Sequence, residues 1–117
     1  MIAHVVLFQP RADLSVSDRA AFAASFERAL TSIRQVRRAQ VGERVNLGRF
    51  YDLQNTRHFS HVAIIEFESE ADLRAYLDHP SHHELGERFY RAVEAALVFD
   101  FALTDGQRVR KLLHSAR

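Results

Sequence analysis

The side chains with the most evident chemistry in this sequence are histidines and tyrosines, since the chain has seven histidines, three tyrosines and no cysteine. Histidine titrates near neutral pH and can take a proton from a carbon next to a carbonyl group. A tyrosine hydroxyl can donate a hydrogen bond to the oxygen on which negative charge then develops. A pocket that collected His4, His61, Tyr76 and His82 would suit this chemistry.

Two histidine pairs, at positions 58 and 61 and at positions 79 and 82, have a spacing that resembles a metal site. Residues three apart on a strand point to opposite faces, and Pro80 interrupts the second pair. The sequence also has no glycine-rich loop that could hold a phosphate group. We therefore predict neither a metal nor a cofactor.

Composition and charge favour a single packed domain. The chain has 117 residues, 47% of them hydrophobic, and a formal net charge of +1. This balance gives no reason to expect nucleic acid or a membrane as a partner. The apolar run at residues 2–8 is too short to span a bilayer and lacks the flanks of a secretory signal. We expect a soluble, cytoplasmic protein.

Four segments have the pattern of strands. Residues 2–9 form a nearly continuous apolar run ended by Pro10, which is typical of a strand covered on both faces. Residues 58–68 alternate, with Ala63 and Ile65 on one face and Val62 on the other. The predicted strands are residues 2–9, 36–44, 58–68 and 97–103.

Three helices are predicted between these strands. Ser15 can cap the first helix, and Ser69 can cap a short second helix that carries Tyr76. Pro80 is well placed to begin a third helix, where its missing N–H costs nothing. The apolar stripe predicted for that helix is Leu85, Phe89, Val93 and Ala96.

Two segments lack the regular spacing of apolar residues that is typical of a helix or a strand. Residues 46–57 contain asparagine, glycine and aspartate and are predicted to form a loop, in which Phe50 and Tyr51 fold back as a flap. Residues 104–117 form a basic C-terminal tail beyond the domain of residues 1–103. We expect this tail to be mobile or weakly helical.

The predicted order β-α-β-β-α-β is that of a ferredoxin-like α+β domain. Such a domain packs its helices on one side of a four-stranded antiparallel sheet and leaves the other side open. Because the first, third and fourth strands are apolar on both faces, the open side would expose roughly several hundred Å² of hydrocarbon, more than monomers usually tolerate. We therefore predict a homodimer that seals the sheet faces, a dimeric α+β barrel.

Several segments together resemble the stress-responsive α/β-barrel (Dabb) domain family. They are IAHVVLF at residues 2–8, HVAIIEF at 61–67, YLDHPSH at 76–82 and VFDF at 98–101. The resemblance covers residues 1–103. It implies a ferredoxin-like protomer that dimerises into a central β-barrel, in agreement with the pattern of the residues themselves.

The resemblance also suggests roles for individual residues. One plant member of the family closes a linear polyketide by an intramolecular aldol condensation, and its tyrosine and histidine correspond to Tyr76 and His82, which would be catalytic here. Its other pocket residues correspond to four substrate-binding candidates, His4, His61, Phe22 and Phe26. Ala23 and Val93 are smaller than a cyclase-like pocket would suggest, so the shape of a substrate does not follow.

Structural explanations stay open for the same residues. His4 and His61 could be strand residues that are satisfied by each other or by the backbone, and His82 could cap a helix. Tyr76 could be a core aromatic residue with its hydroxyl at the surface.

Asp100 stands among valine and phenylalanine in the last predicted strand. A buried carboxylate needs a partner, so we expect Asp100 to be exposed at the sheet edge or paired with Arg37 or Arg38. We interpret it as a structural residue.

Three functions are predicted as alternatives. The first is a Dabb homodimer of unassigned activity that binds a small hydrophobic or carbonyl-containing ligand in a pocket between helices and sheet. The second is a polyketide cyclase-like enzyme with a histidine base and a tyrosine oxyanion partner. The third is a purely structural oligomerisation module. The first two predict a cavity under Phe22, Phe26 and Tyr76, whereas the third predicts solid packing there.

Overall fold

The computed structural model of the protein describes residues 1–114. The described residues form four strands and five helices, in the order β1 (Ile2–Pro10), α1 (Val16–Ser32), β2 (Arg38–Glu43), α2 (Phe50–Gln54), β3 (His61–Phe67), α3 (Glu70–Leu77), α4 (Pro80–Ala92), β4 (Val93–Ala102) and α5 (Val109–His114). A 3₁₀ turn at Gly106–Arg108 precedes α5. No helix within the described residues is long and apolar enough to cross a membrane.

The four strands form one antiparallel sheet in the order β2-β3-β1-β4. The central strand β1 pairs on one side with β3 and on the other with β4, so that His4 lies between Ile65 and Asp100. The predicted α+β class, ferredoxin-like element order and four-stranded antiparallel sheet are confirmed.

One face of the sheet is covered by helices and holds the core. Alternate residues of β1, among them Val6 and Phe8, point to this face and are buried. Phe22 of α1 and Leu85 of α4 pack against them. Burying side chains of this size stabilises the fold by about 1.5–3 kcal/mol each, which fixes α1 and α4 on the sheet.

The opposite face of the sheet is apolar but carries no helix among the described elements. Val5 of β1 lies between Ile64 of β3 and Phe99 of β4, and Val5 and Ile64 stand next to buried residues in their own strands. Phe99 and Phe101 are 51% and 50% exposed. The prediction of strands that are apolar on both faces is confirmed.

The helices begin where the sequence indicates. Ser15 Oγ accepts a hydrogen bond from the backbone N–H of Asp18 at 3.1 Å, and Ser69 Oγ accepts one from Asp72 at 3.2 Å. Pro80 is the first residue of α4, as predicted. These caps satisfy N–H groups that a helix start otherwise leaves unpaired.

The prediction of a loop with an aromatic flap at residues 46–57 is wrong in part, because α2 lies inside this segment. The Asp52 carboxylate accepts hydrogen bonds from the backbone N–H groups of Leu47 and Arg49, at 3.0 and 3.1 Å, and so organises a helix start. Phe50 and Tyr51 are exposed rather than folded back.

The boundary between α4 and β4 also differs from the prediction. The helix ends at Ala92, so Val93 and Ala96 belong to β4 and not to the helical stripe. Val93 continues the four-residue spacing of Leu85 and Phe89, and the sequence period therefore could not reveal the change. Pairing with β1 as far as Pro10 decides it, since this extends β4 to begin at Val93.

The C-terminal segment contains a short helix, in agreement with the helical alternative predicted for the tail. Residues 106–114 form the 3₁₀ turn and α5, whose Val109, Leu112 and Leu113 are exposed. The last three residues of the predicted tail, 115–117, lie outside the described residues.

Candidate functional site

Three of the four polar residues predicted for the site line one cavity of about 230 Å³ between sheet and helices. They are His4 from β1, Tyr76 from α3 and His82 from α4, and we call this space the histidine–tyrosine cavity. Its other walls are mainly apolar and are formed by Val6, Phe26, Ile65, Leu77, Leu85, Gly86, Phe89 and Val98.

His4 is buried and has a carboxylate as its partner. Its Nδ1 lies 2.6 Å from Oδ1 of Asp100, the residue directly opposite on β4. The predicted alternative that Asp100 is exposed at the sheet edge is confirmed, because β4 is an edge strand and the Asp100 side chain is 47% exposed. The other alternative, pairing with an arginine, is not what the structure shows, and Arg37 pairs with Glu68. Because a carboxylate accepts, Nδ1 of His4 carries the proton and its second ring nitrogen is left to accept one from a ligand.

Tyr76 is the least exposed of the site residues, at 1%. The Tyr76 ring makes T-shaped contacts with the rings of His82 and His4. The distances between ring centroids are 4.7 Å to His82 and 6.0 Å to His4. Burial raises the pKa of Tyr76 to about 12, so its hydroxyl stays protonated and can donate. That hydroxyl makes no hydrogen bond to any group within residues 1–114.

His82 is held in its neutral form. Burial lowers its pKa below the ordinary value of 6.5, and the nearby His4 lowers it further. A hydrogen bond with the backbone of Leu77 opposes these effects. A neutral imidazole can accept a proton. The proposed role of His82 as a helix cap is wrong, because His79 is the N-cap of α4 and its Nδ1 accepts from the Ser81 N–H at 3.0 Å.

His61 and Phe22 line a different cavity. This second space, of about 470 Å³, is bounded by several phenylalanines and is called the phenylalanine cavity here. His61 stacks on Phe8 at 5.4 Å, and its Nδ1 lies 2.6 Å from Ser60 Oγ. Phe26 lines both cavities.

The sheet register explains why His61 is separated from His4. His61 pairs with Phe8, whereas His4 pairs with Ile65 four positions along β3. At about 3.3 Å per residue this offset is roughly 13 Å along the strand. The structure thus brings together His4, Tyr76 and His82 and leaves His61 in the neighbouring cavity.

Asp100 is the residue of this site that sequence reasoning missed. A carboxylate between apolar strand residues was a signal, but its partner depended on the pairing of β4 with β1. With Asp100 included, the cavity holds a fixed His4, a neutral His82 and a hydroxyl donor. Such a set can bind a carbonyl oxygen and exchange a proton at the adjacent carbon.

Comparison with solved structures identifies proteins of the same fold. The protein At3g17210 from Arabidopsis thaliana is 20% identical, with a TM-score of 0.73 over 90% of this chain and 97% of that chain. A hydroxynitrile lyase from Passiflora edulis is 17% identical, with a TM-score of 0.73 over 89% of this chain and 94% of that chain. A dimeric ferredoxin-like protein of unknown function from Thermobifida fusca is 18% identical, with a TM-score of 0.67 over 87% and 90%.

At these identities the likeness establishes the fold alone. No curated protein matches the chain. The sequence signature of the stress responsive A/B barrel domain, abbreviated Dabb, matches residues 2–103, which is most of the chain and includes all four strands and His4, Tyr76, His82 and Asp100. The chain therefore belongs to the stress responsive A/B barrel domain family.

Proposed function

We propose that the protein binds a small, mostly apolar ligand with a carbonyl group in the histidine–tyrosine cavity. The observation that carries this proposal is the meeting of His4, Tyr76 and His82 at the wall of an apolar space. Pockets of this kind, apolar with a few converging polar groups, are where ligands usually bind. The Tyr76 hydroxyl would donate to the carbonyl oxygen, and His82 would lie beside it.

A second candidate function is catalysis of proton transfer without a cofactor, as in a cyclase or a lyase. The contact between His4 and Asp100 favours it, because this contact fixes the tautomer of a histidine that faces the ligand. In this proposal the neutral His82 takes the proton from the carbon next to the carbonyl. The electrons of the broken C–H bond move onto the carbonyl oxygen, where Tyr76 stabilises them by a hydrogen bond. One structural relative is a hydroxynitrile lyase, so at least one protein of this fold is an enzyme of the lyase class.

The third alternative, a purely structural module, has less support. It predicts solid packing under Phe22, Phe26 and Tyr76, whereas two cavities lie beside these side chains.

We propose that the working form is a homodimer joined through the open sheet face. Leu97, Phe99 and Phe101 of β4 are about half exposed on this face, and sealing them against a second copy would remove a large apolar surface from water. Three structural relatives are described as dimeric. The absence of cysteine suits a reducing compartment, and we propose the cytoplasm.

The ligand proposal is tested by thermal-shift titration with acetylacetone, benzoylacetone and acetophenone. We expect the melting temperature of the wild type to rise with at least one of them, and the rise to be lost in His82→Ala and reduced in Tyr76→Phe. His58→Ala, a substitution of an exposed histidine outside the cavity, is the control. If no compound of this class raises the melting temperature, or if His82→Ala responds like the wild type, the proposal is wrong.

Catalysis is separated from binding by following hydrogen exchange at the carbon next to the carbonyl. The ligand is dissolved in D₂O, and the loss of its proton NMR signal is compared with and without protein. We expect His82→Gln to slow the exchange under saturating ligand. Exchange no faster than in buffer alone would leave binding as the function and exclude proton transfer.

The dimer is tested by measuring molecular mass with light scattering. We expect wild-type protein at twice the chain mass and Phe99→Glu as a monomer, because a charge would have to be buried in the interface. Val16→Glu introduces the same charge in place of an exposed apolar residue at the start of α1 and should leave the mass unchanged. A monomeric wild type would overturn this proposal and leave the ligand proposal untouched.

A further inference from the structure

Gly86 stands in the interior of α4, where glycine is unfavourable. A glycine inside a helix destabilises it by roughly 0.5–1 kcal/mol relative to alanine. The usual compensation is a close approach by another element, but a Cβ built on Gly86 meets no heavy atom within 4 Å outside its own surroundings. Packing therefore does not explain why this position lacks a side chain.

The position of Gly86 on the surface of α4 offers another explanation. Gly86 lines the histidine–tyrosine cavity and also an outer groove, which is formed by Leu77, His82, His83, Gly86, Glu87, Tyr90 and Arg91. Leu77, His82 and Gly86 border both spaces. His82, Gly86 and Tyr90 follow at four-residue intervals, so a side chain at position 86 would project from the same face of α4 as His82.

The size of the inner cavity gives the second argument. Ligand pockets usually measure about 300–1,000 Å³, whereas the histidine–tyrosine cavity measures about 230 Å³. A cavity of about 150 Å³ can hold benzene, so a ligand much larger than a single substituted ring can place only part of itself inside. The border with the outer groove offers the wider exit for the remainder, because these two spaces share Leu77, His82 and Gly86, whereas the phenylalanine cavity shares only Phe26 with the histidine–tyrosine cavity.

We propose that Gly86 keeps open a passage through which a chain-like ligand extends from the histidine–tyrosine cavity into the outer groove. This inference rests on the proposed function, since it assumes a carbonyl group held beside Tyr76 and His82. It makes Gly86 a residue that determines specificity for ligand length. The ligand class is then a carbonyl compound with an unbranched tail, whose far end lies along α4 near Tyr90.

The test compares two probes with the wild type and two leucine variants. The probes are acetylacetone and its homologue with a decyl chain in place of one methyl group. Gly86→Leu adds bulk at the passage, and Arg88→Leu adds the same side chain at an exposed position of α4 outside both spaces. Dissociation constants are measured by isothermal titration, and folding by the melting temperature.

We expect Gly86→Leu to bind the long probe at least about tenfold more weakly than the wild type, and the short probe within about threefold. Its melting temperature should be equal or higher, because leucine favours helix more than glycine does. Arg88→Leu should bind both probes like the wild type. If Gly86→Leu fails to fold, Gly86→Ala replaces it. The alanine variant should fold, because its Cβ meets no heavy atom within 4 Å, and it should weaken binding of the long probe in the same direction.

The outcomes separate this inference from the proposed function. A wild type that binds neither probe contradicts the proposed function itself. A wild type that binds the short probe but not the long one overturns the passage. Equal binding of the long probe by Gly86→Leu and the wild type overturns it as well, while the binding site stands.

Discussion

The two cavities beneath the helices lie side by side and share Phe26, yet their polar groups are bonded differently. In the phenylalanine cavity, His61 is stacked on Phe8 and hydrogen-bonded to the neighbouring Ser60. In the smaller histidine–tyrosine cavity, His4 is tied by Asp100, while the Tyr76 hydroxyl makes no hydrogen bond within residues 1–114.

This difference bears on where a ligand could react, because size and apolar walls alone do not make a site reactive. The phenylalanine cavity is the larger of the two, at about 470 Å³ against about 230 Å³. Reactivity needs polar groups that are oriented by the protein and still have bonding capacity for a ligand. The histidine–tyrosine cavity has such groups, so we propose that the ligand binds there and that the phenylalanine cavity mainly supports the core.

The largest expected effect is on stability and comes from the phenylalanine cavity. Phe22 is buried and lies within about 6 Å of the rings of Phe26 and Phe89. Phe22→Ala should lower the free energy of unfolding by about 3–5 kcal/mol, because it removes these contacts and enlarges the void. Urea denaturation measures the change. A loss below about 1 kcal/mol would show that this cavity does not support the core.

The next effect concerns ligand affinity and contrasts the partners of the two histidines. Asp100→Ala removes the acceptor of His4 and should weaken binding of a carbonyl ligand about tenfold, since hydrogen bonds to charged groups contribute about 1.5–3 kcal/mol. Ser60→Ala removes the partner of His61 and should change affinity less than about twofold. Equal losses in both variants, measured by isothermal titration, would erase the distinction between the cavities.

A smaller effect is expected from Tyr76→Phe. The hydroxyl has no partner within the described residues, so its removal should change the free energy of unfolding by less than about 1 kcal/mol. Ligand affinity should fall while stability holds, because the variant lacks the hydrogen-bond donor that we propose for the carbonyl oxygen of the ligand. A clear loss of stability with unchanged affinity would assign Tyr76 a structural role.

The smallest effect is the pH dependence that His82 adds to stability. Its pKa is lowered in the folded protein, so between that pKa and the unfolded value of 6.5 the unfolded state binds more protons. Stability should therefore fall as the pH drops through 6.5 and level off below the folded-state pKa. His4, His83 and Asp78 face the same imidazole and remain in the variant His82→Asn.

Urea denaturation at a series of pH values measures this slope in the wild type and in His82→Asn. We expect a shallower acid slope in the variant, because it lacks the group whose protonation opposes folding. Identical slopes would mean that His82 is protonated as easily in the folded protein as in the unfolded chain. That result would contradict the proposal that His82 acts as a neutral base in the histidine–tyrosine cavity.

The sequence by itself determined the fold class, because the hydrophobic period and the helix caps are local signals. Ser15, Ser69 and Pro80 stand at helix starts as predicted. The apolar pattern also shows which strands carry apolar side chains on both faces. Together, the residue types and the family resemblance also predicted most residues of the candidate site. Where several elements could continue the same period, as at Val93, the sequence did not distinguish helix from strand.

The tertiary structure alone decided which of the named residues meet. Strand register places Asp100 opposite His4 and separates His61 from it by four positions, and register depends on pairings between residues far apart in the chain. The open space at Gly86 likewise requires α3 and α4 to be in place. Contacts between distant segments are set by how whole elements pack, so no local pattern along the chain can reveal them.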